Sequence, residues 1–349
     1  MRFGESIDKL EEYIPFSYKP GMIRLDANES CLELSEELKQ KVSEAVNSVS
    51  LNRYPDPYCK DLRKAFACYY GISDDNVVVG NGSDELISII FSSLVSEDAK
   101  CLTVAPDFSM YSFYATLYRR ENRVFAKNTD LNVDVDLFIE EINNGGYDFV
   151  MFSNPCNPTG QALSRSEILR VIKNVKAMVC VDEAYMDFWD ESESVMKDVN
   201  DYENLFVLRT LSKAIGLASC RLGFVVANKS IISMFNKVKS PYNVNSVSQA
   251  IGRCILDNKS ELKNAADTIK KQTVSLLNGI KKLNIKDAVV YETKANFVFV
   301  QTPAARDIFN KLKEKNIIVR CFGNDRLRIT AGTSSENKIV LGALEEVIS

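Results

Sequence analysis

Short apolar runs alternate with amphipathic helical stretches along the middle of this chain of 349 residues, and this alternation constrains the fold more than any other feature. The runs are rich in β-branched residues, and several are apolar on both faces, which is typical of parallel strands covered by helices. The sequence Ser164-Arg165-Ser166-Glu167 is a capping box that predicts a helix between two runs. The pattern therefore predicts an α/β domain with a mostly parallel sheet. Its strands are predicted at residues 76–80, 100–105, 148–153, 177–182, 204–210 and 222–227.

The pattern changes after about residue 245. A long helical periodicity covers residues 246–283. Thr302-Pro303 predicts a helix with proline at its first position, and Thr333-Ser334-Ser335-Glu336 predicts the cap of a last helix. We therefore expect a large domain of residues 30–245 and a smaller α/β domain of residues 1–29 and 246–349. Further strands are predicted at residues 297–300, 317–320 and 326–330.

Composition excludes several classes of function. The formal net charge of -4 and the pI of about 5.3 argue against nucleic acid or an anionic membrane as a partner. No apolar run approaches the roughly 20 residues of a bilayer span, and the polar, acidic N-terminus is unlike a secretory signal. Nine cysteines occur singly, without a C-x-x-C pair, which favours a reduced, cytoplasmic protein.

The chain contains no histidine. This excludes histidine-based nucleophiles, histidine general bases and histidine metal sites, and we expect no metal. Any chemistry must use Lys, Tyr, Asp, Glu, Cys or a cofactor.

One lysine stands in a setting that suits a phosphorylated aldehyde. Lys213 follows Thr210 and Ser212, and Arg221 comes eight positions later. A partly desolvated lysine amine attacks aldehydes, while an arginine and hydroxyl groups bind a phosphate monoester. These are the parts needed to anchor pyridoxal phosphate. A solvated Lys–Arg pair is the alternative for this segment taken alone.

Motifs after three earlier strands argue against that alternative. Gly82, Ser83 and Asp84 open a helix whose N-terminus suits an anion, although an ordinary helix cap has the same residues. Phe108 follows the next strand, where open α/β sheets bind ligands; it suits stacking on a planar ring or packing in the core. Two Asn-Pro pairs then fix the direction of the Asn157 amide.

An acid and a phenol follow the strand predicted at residues 177–182. Asp182 ends this strand, and Tyr185 comes three residues later. A carboxylate at the nitrogen of a protonated pyridine keeps the ring cationic and deepens its capacity to accept electrons. A phenol beside the ring oxygen would tune an imine formed with the lysine.

The order and spacing of Asn157, Asp182, Lys213 and Arg221 resemble those of the fold-type-I, pyridoxal-phosphate-dependent aminotransferases of class I/II. The resemblance covers nearly all of the chain. Within that family the chain looks most like the histidinol-phosphate aminotransferases, in residues 25–29, 53–56, 80–85, 207–214 and 327–332. The resemblance implies a large domain with a seven-stranded, mostly parallel sheet between helices, a smaller α/β domain, and pyridoxal 5'-phosphate as cofactor.

The resemblance also implies roles for single residues. Lys213 would be the Schiff-base lysine and proton shuttle, Asp182 would pair with the pyridinium nitrogen, and Tyr185 would complete the catalytic set. Asn157 and Tyr185 would hydrogen-bond the ring oxygen, and Phe108 would stack on the ring. The phosphate would be surrounded by Ser83, Asp84, Thr210, Ser212 and Arg221, and by Tyr54 of a neighbouring subunit, so that a homodimer shares its sites.

Substrate binding is implied for Arg328, with Arg320 as a weaker second and Asn157 and Tyr18 as further contacts. Two positions depart from the family pattern. Many members have tyrosine where this chain has Phe108, and Pro15-Phe16 stands where a Pro-Tyr pair often binds substrate phosphate. Tyr18 is the candidate to replace that tyrosine.

The expected reaction is transamination of L-histidinol phosphate with 2-oxoglutarate, giving imidazole-acetol phosphate and L-glutamate in histidine biosynthesis. Three alternatives remain open at this point: an aromatic amino acid aminotransferase, a lyase resembling threonine-phosphate decarboxylase, and a non-enzymatic regulator that binds the cofactor. The bond that breaks depends on which Cα substituent stands perpendicular to the ring, and the sequence does not determine that rotation.

Overall fold

A computed structural model of the chain describes residues 7, 10, 12, 14 and 16–348. Predictions that fall on residues 1–6, 8, 9, 11, 13, 15 and 349, including the one on Pro15, lie outside the described residues. The strands are β1 (Ile23–Arg24), β2 (Val77–Asn81), β3 (Lys100–Ala105), β4 (Glu121–Ala126), β5 (Phe149–Ser153), β6 (Met178–Asp182), β7 (Leu205–Thr210), β8 (Leu222–Ala227), β9 (Val289–Val290), β10 (Phe297–Gln301), β11 (Ile317–Ile318), β12 (Arg320–Phe322) and β13 (Arg326–Thr330).

Helices connect most of these strands. The α-helices are α1 (Glu36–Asn47), α2 (Lys60–Tyr70), α3 (Ser83–Ile89), α4 (Met110–Leu117), α5 (Val135–Gly145), α6 (Arg165–Asn174), α7 (Lys229–Val238), α8 (Ser246–Leu256), α9 (Lys259–Lys282), α10 (Ala305–Glu314) and α11 (Ser334–Ile348). A π-helical turn, Ile90–Leu94, extends α3.

The large sheet has seven strands in the order β2-β8-β7-β6-β5-β3-β4. Five neighbouring strands, β4, β3, β5, β6 and β7, are parallel, and β8 runs antiparallel to β7 and β2. The predicted mostly parallel, seven-stranded sheet is therefore confirmed. The sequence analysis missed β4 because this edge strand, with the sequence ENRVFA, has largely exposed polar side chains and lacks an apolar run.

Both faces of this sheet are covered, which explains the apolar runs. In β6, Val179 and Val181 pack in the hydrophobic cluster on one face, while Cys180 packs in the cluster on the other. Phe66 of α2 stacks on Phe224 of β8 with ring centroids 3.9 Å apart. Burying a phenylalanine side chain stabilises a fold by roughly 1.5–3 kcal/mol, so such contacts hold the helices on the sheet.

A smaller antiparallel sheet has the order β12-β13-β10-β9. Its core includes Leu25 and Ile329, and β1 pairs in parallel with β11, so the described part of the N-terminal segment packs with the C-terminal elements. Ile255 of α8 and Leu262 of α9 instead belong to the core of the large sheet, whereas Leu276 belongs to that of the small one. We therefore propose a division between the domains within α9 rather than at residue 245.

Three predicted helix starts had different outcomes. The capping box of Ser164 and Glu167 is present at α6. At α11, the Thr333 Oγ1 atom accepts from the Glu336 N–H at 3.3 Å, and Glu336 Oε2 accepts from the Thr333 N–H at 2.7 Å. The prediction for Pro303 was wrong: α10 begins at Ala305, because the Thr302 hydroxyl accepts from the Ala304 N–H at 3.3 Å and forms a turn before the helix.

The long helical periodicity of residues 246–283 belongs to two helices. Helix α8 ends at Leu256, and α9 begins at Lys259. The break falls at Asp257 and Asn258, two residues that favour turns over helix interiors.

Candidate active site

A cleft of about 1440 Å³, open to solvent, lies at the carboxyl ends of the parallel strands and faces the small sheet. Parallel strands present their carboxyl ends at one edge, so the loops that follow them converge there. The cleft brings together 12 of the residues predicted for the site: Ser83, Asp84, Phe108, Asn157, Asp182, Tyr185, Thr210, Ser212, Lys213, Arg221, Arg320 and Arg328.

Lys213 lies three residues beyond the end of β7 and is half-buried. Its Nζ atom donates to the Ala27 carbonyl at 3.0 Å and lies 5.8 Å from the centre of the Tyr185 ring. The loop before it is held by the Thr210 hydroxyl, which accepts from the Ser212 N–H at 3.1 Å. The amine is thus positioned in the cleft by a short turn.

Asp182 is the buried acid of the cleft. Its Oδ2 atom accepts from the Tyr111 hydroxyl at 2.7 Å, and its Oδ1 atom accepts from the Ala184 N–H at 3.0 Å. Burial raises the pKa of Asp182 to about 6, and the hydrogen bonds from Tyr111 and Ala184 oppose that rise. A cation placed against this carboxylate would favour its charged form.

Tyr111 was not predicted from the sequence. This residue lies in the first turn of α4, three positions after Phe108, and the two rings meet edge to face with centroids 5.5 Å apart. The available signal was a phenol close to a strand end that already carried a candidate ligand residue.

Arg328 connects the small sheet to the large one. Its guanidinium donates through Nη1 to Asn157 Oδ1 and through Nη2 to the Asp26 carbonyl. Arg320 lies directly opposite Arg328 in the ladder between β12 and β13. Both side chains line the cleft, and a buried guanidinium near a second one is an anion-binding arrangement.

Arg326 also lines the cleft, and the sequence analysis missed it. Side chains two positions apart point to the same face of a strand. The alternation of Arg326, Leu327 and Arg328 contained that signal, since Leu327 is buried in the small-domain core.

The start of α3 forms a cradle in which two glycines let the backbone and Arg221 approach closely. Gly82 has φ +84°, and a Cβ atom there would lie 2.5 Å from a guanidinium nitrogen of Arg221. A Cβ atom on Gly223 would lie 2.4 Å from the Ser83 nitrogen. Asp84 pairs with Arg221 at 3.1 Å, so the carboxylate orients the guanidinium. Backbone N–H groups, a hydroxyl and a guanidinium here fit a phosphate monoester.

Two predicted residues lie outside the lining of this cleft. Tyr54 is 82% exposed, and its ring stacks on that of Tyr242 with centroids 4.6 Å apart. The Tyr18 hydroxyl donates to the Asp26 carboxylate, 2.8 Å from either oxygen, and burial raises the pKa of Tyr18 to about 12. Asp26 lines the cleft, so Tyr18 stands behind a lining residue.

Other kinds of site receive no support from the described residues. Within them, no cluster of three or more side chains suitable for a metal ion comes together. No helix in that part of the chain is sufficiently long and apolar to cross a membrane. The nine cysteines, which all lie in the described part, are unpaired.

Comparison with known proteins now identifies the family. Residues 20–344 match the model of the family "Aminotransferase class I and II". The chain is 41% identical to the histidinol-phosphate aminotransferase of Clostridium novyi over 93% of this chain and 91% of that protein. It is 36% identical to the histidinol-phosphate aminotransferase of Clostridium kluyveri over 97% of both chains. The chain therefore belongs to the class I and II aminotransferase family.

Solved structures share the fold at lower identity. A histidinol-phosphate aminotransferase from Sinorhizobium meliloti, in complex with pyridoxal-5'-phosphate, has a TM-score of 0.88 at 22% identity, covering 99% of this chain and 97% of that one. An L-threonine-O-3-phosphate decarboxylase from Porphyromonas gingivalis has a TM-score of 0.79, also at 22% identity, covering 93% and 99%. Because both an aminotransferase and a decarboxylase match, these likenesses establish the fold alone.

Proposed function

We propose that this chain is a pyridoxal-phosphate-dependent aminotransferase that transfers the amino group of L-histidinol phosphate to 2-oxoglutarate in histidine biosynthesis. The observation that carries the proposal is one cleft that holds the Lys213 amine, the buried Asp182 and the phosphate cradle at Gly82. The substrate follows from relatives at 36–41% identity that bear the name histidinol-phosphate aminotransferase.

The donor set of the cleft fits this cofactor. Ser83, Ser212 and Arg221 would hold the phosphate, with Asp84 orienting the arginine and contributing its backbone N–H, and Thr210 supporting the Ser212 turn. Phe108 lines the same cleft and would cover one face of the ring. Asp182 would meet the ring nitrogen, and Asn157 and Tyr185 would hydrogen-bond the ring oxygen.

The chemistry that pyridoxal phosphate supplies when bound is an electrophilic carbonyl and a ring that withdraws the electron pair released at Cα. Lys213 would form the link to that carbonyl and, as a free amine, would remove the Cα proton. The Lys213 amine would also return that proton to the carbon of the cofactor's aldehyde group, so this site needs no histidine. Asp182 keeps the environment of the ring nitrogen anionic, which the hydrogen bond from Tyr111 supports.

The arginines of the small sheet would bind the anionic group of each substrate. Histidinol phosphate has a phosphate ester where an amino acid has its α-carboxylate, and 2-oxoglutarate has carboxylates. Arg328 would therefore serve both reactants, with Arg320 opposite it as a weaker second contact. Tyr18 donates to Asp26, which lines the cleft, so Tyr18 would influence the substrate only indirectly, through the position of Asp26.

A homodimer with shared sites is part of the proposal. Tyr54 would reach the phosphate in the neighbouring subunit, and its exposed stack with Tyr242 supports a role at a surface that another chain covers. A cytoplasmic location is supported by nine unpaired cysteines in the described residues.

Product analysis tests the reaction class and the donor together. Protein loaded with pyridoxal phosphate is supplied with 2-oxoglutarate and one of three donors: L-histidinol phosphate, L-phenylalanine or O-phospho-L-threonine. We expect glutamate to form with L-histidinol phosphate in a 1:1 ratio to the donor consumed. Faster glutamate formation from phenylalanine would favour the aromatic aminotransferase, and carbon dioxide release from phosphothreonine without keto acid would favour the lyase. Absence of turnover with every donor would favour the regulator.

A further inference from the structure

Three consecutive residues of the N-terminal segment each contact a different group in the cleft. The chemistry described above uses these groups but gives no role to Asn28. The contacts are the Asp26 carbonyl with Arg328, the Ala27 carbonyl with Lys213 Nζ at 3.0 Å, and the Asn28 side chain with the Tyr185 hydroxyl at 2.9 Å. Only the contact of Asn28 is made by a side chain, so it is specific to the residue type.

Asn28 is held from several directions. It is 1% exposed, and its Oδ1 atom accepts from the Thr330 hydroxyl at 3.0 Å. Its backbone N–H donates to Thr330 Oγ1 at 3.2 Å, and its carbonyl accepts from the Asn296 side chain at 3.2 Å. Its backbone is left-handed, with φ 54°, a conformation that asparagine tolerates better than most residues.

These bonds determine the direction of the amide. Because the oxygen of Asn28 accepts from Thr330, its NH₂ group faces Tyr185 and donates to the phenol oxygen at 2.9 Å. A phenol has one proton of its own to donate. With its oxygen already accepting from Asn28, the buried Tyr185 directs that proton toward the cleft that it lines. A hydroxyl whose oxygen accepts a hydrogen bond is also a stronger donor in the hydrogen bond that its own proton makes.

We propose that Asn28 is a positioning residue for the reaction: it keeps the Tyr185 hydroxyl as a donor to the ring oxygen of the cofactor. It also ties that donor to β13, because Thr330 lies on this strand two residues from Arg328. The inference rests on the proposed function in one respect, that Tyr185 faces the ring oxygen.

The expected signature is spectroscopic. A hydrogen bond donated to the ring oxygen favours its unprotonated form, so losing that bond raises the pKa of the visible absorbance change of the bound cofactor. Other charged groups line the same cleft and influence this pKa, but they are unchanged by substitutions at position 28. The ones on the elements around Tyr185 are Asp26, Asp182, Lys213 and Arg328.

The test is a spectrophotometric pH titration of the loaded protein without any amino donor. Asn28→Gly removes the amide and keeps the left-handed backbone, because glycine adopts positive φ readily. We expect it to raise the pKa of the absorbance change by about 0.5–1 unit, the size of one hydrogen bond. Thr330→Val should give a smaller rise, because the amide loses its orienting donor, and Thr330→Ser should restore the original value.

A double-substitution cycle separates positioning from general structural damage. In a Tyr185→Phe background, Asn28→Gly should cause no further rise, since the hydroxyl through which Asn28 acts is gone. A rise of equal size in that background would overturn the inference, as would an unchanged pKa in folded Asn28→Gly protein. If Asn28→Gly does not fold, the Thr330→Val and Thr330→Ser pair decides: equal pKa values for the two overturn the inference.

The titration distinguishes this inference from the proposed function. It needs only the loaded protein, so a raised pKa in a protein that ignores histidinol phosphate would overturn the donor assignment alone. Normal consumption of histidinol phosphate with an unshifted titration would overturn the inference alone. A protein that forms no absorbing complex with pyridoxal phosphate would overturn both.

Discussion

The two halves of the cleft are built differently. The half formed by the large sheet takes its residues from loops after parallel strands. Asp182 already accepts a hydrogen bond from Tyr111, and Lys213 already donates one to the Ala27 carbonyl. The half formed by the small sheet takes its residues from the ladder between β12 and β13, where Arg320 faces Arg328. The first half presents an acid, an amine, hydroxyls and the single guanidinium of Arg221, whereas the second presents the guanidinium groups of Arg320, Arg326 and Arg328.

This difference suggests that the two halves of the cleft have different functions. Strand-end loops hold single groups at defined points, which bond-breaking chemistry requires. An antiparallel ladder instead repeats side chains on one face every second residue, so it supplies a row of similar charges suited to binding anions. We therefore expect substitutions in the first half to reduce kcat and substitutions in the second to raise KM.

The largest effect is expected from Lys213→Ala. Removing the amine eliminates both the link to the cofactor and the proton shuttle, so turnover should fall by at least about 10⁴-fold. The absorbance of the lysine-bound cofactor should disappear as well. The measurements are kcat under saturating substrate and the visible spectrum. Turnover within about tenfold of the unaltered protein would contradict the comparison, because the half of the cleft formed by the large sheet would then not carry the chemistry.

Asp182→Asn gives the next largest effect, and it depends on pH. Burial raises the pKa of Asp182 to about 6, above the unfolded value of about 3.9, so the charged carboxylate destabilises the folded, cofactor-free chain. That penalty is absent below about pH 4 and complete above about pH 6, and it is on the order of 3 kcal/mol. Denaturant unfolding without cofactor should therefore show Asp182→Asn gaining stability over the unaltered chain as pH rises through this window.

Pyridoxal phosphate should reverse the effect of Asp182→Asn, from favourable in the cofactor-free chain to unfavourable for cofactor binding. The charged carboxylate would pair with a pyridinium cation, so the affinity of the unaltered chain for pyridoxal phosphate should increase as pH rises through about 6. Asp182→Asn should remove this dependence and weaken binding. A stability difference between the two chains that does not change with pH would contradict the assignment of a buried, destabilised charge.

Arg328→Ala tests the second half of the cleft. Loss of a charged hydrogen bond to the substrate should raise KM for both L-histidinol phosphate and 2-oxoglutarate by roughly 10–100-fold, with a smaller change in kcat. Arg320→Ala is the matched control, because it lies opposite in the ladder, and its effect should be smaller. If Arg328→Ala affects only one of the two substrates, the shared anion site is wrong.

Ser164→Ala provides the smallest effect and a control for folding alone. It removes the capping box of α6 in the large domain without altering a residue of the cleft. The free energy of unfolding should fall by about 1 kcal/mol, while kcat and KM stay unchanged. A fall in kcat here would mean that modest destabilisation disturbs the cleft, and the effects of the other substitutions would need correction for it.

The half of the cleft formed by the large sheet was easier to predict from the sequence than the half formed by the small sheet. Buried strands leave apolar runs, and Asn157, Asp182 and Lys213 stand close after such runs, so position and chemistry were visible together. The edge strand β4 was missed because its exposed side chains leave no apolar run. Tyr111 was missed because its contact with Asp182 joins helix α4 to strand β6, and these two elements are far apart in sequence.

In the half of the cleft formed by the small sheet, the alternation of residues 326–328 placed Arg326 and Arg328 on one face of a strand, but it did not show that this face lines the cleft. Arg326 became visible as a lining residue only once β13 was paired with β10 and β12. Tyr54 stays a prediction, because its proposed site lies in a neighbouring subunit and in the single chain its ring is exposed. The partners of Asn28 in β13 are likewise distant in sequence, since Thr330 lies 302 positions away.

The most direct test is one half-reaction followed by absorbance. Protein loaded with pyridoxal phosphate is mixed with L-histidinol phosphate in the absence of keto acid. We predict loss of the band of the Lys213-bound cofactor, formation of one pyridoxamine phosphate per site, and recovery of the band when 2-oxoglutarate is added. An unchanged spectrum after mixing with saturating L-histidinol phosphate would contradict the proposed function.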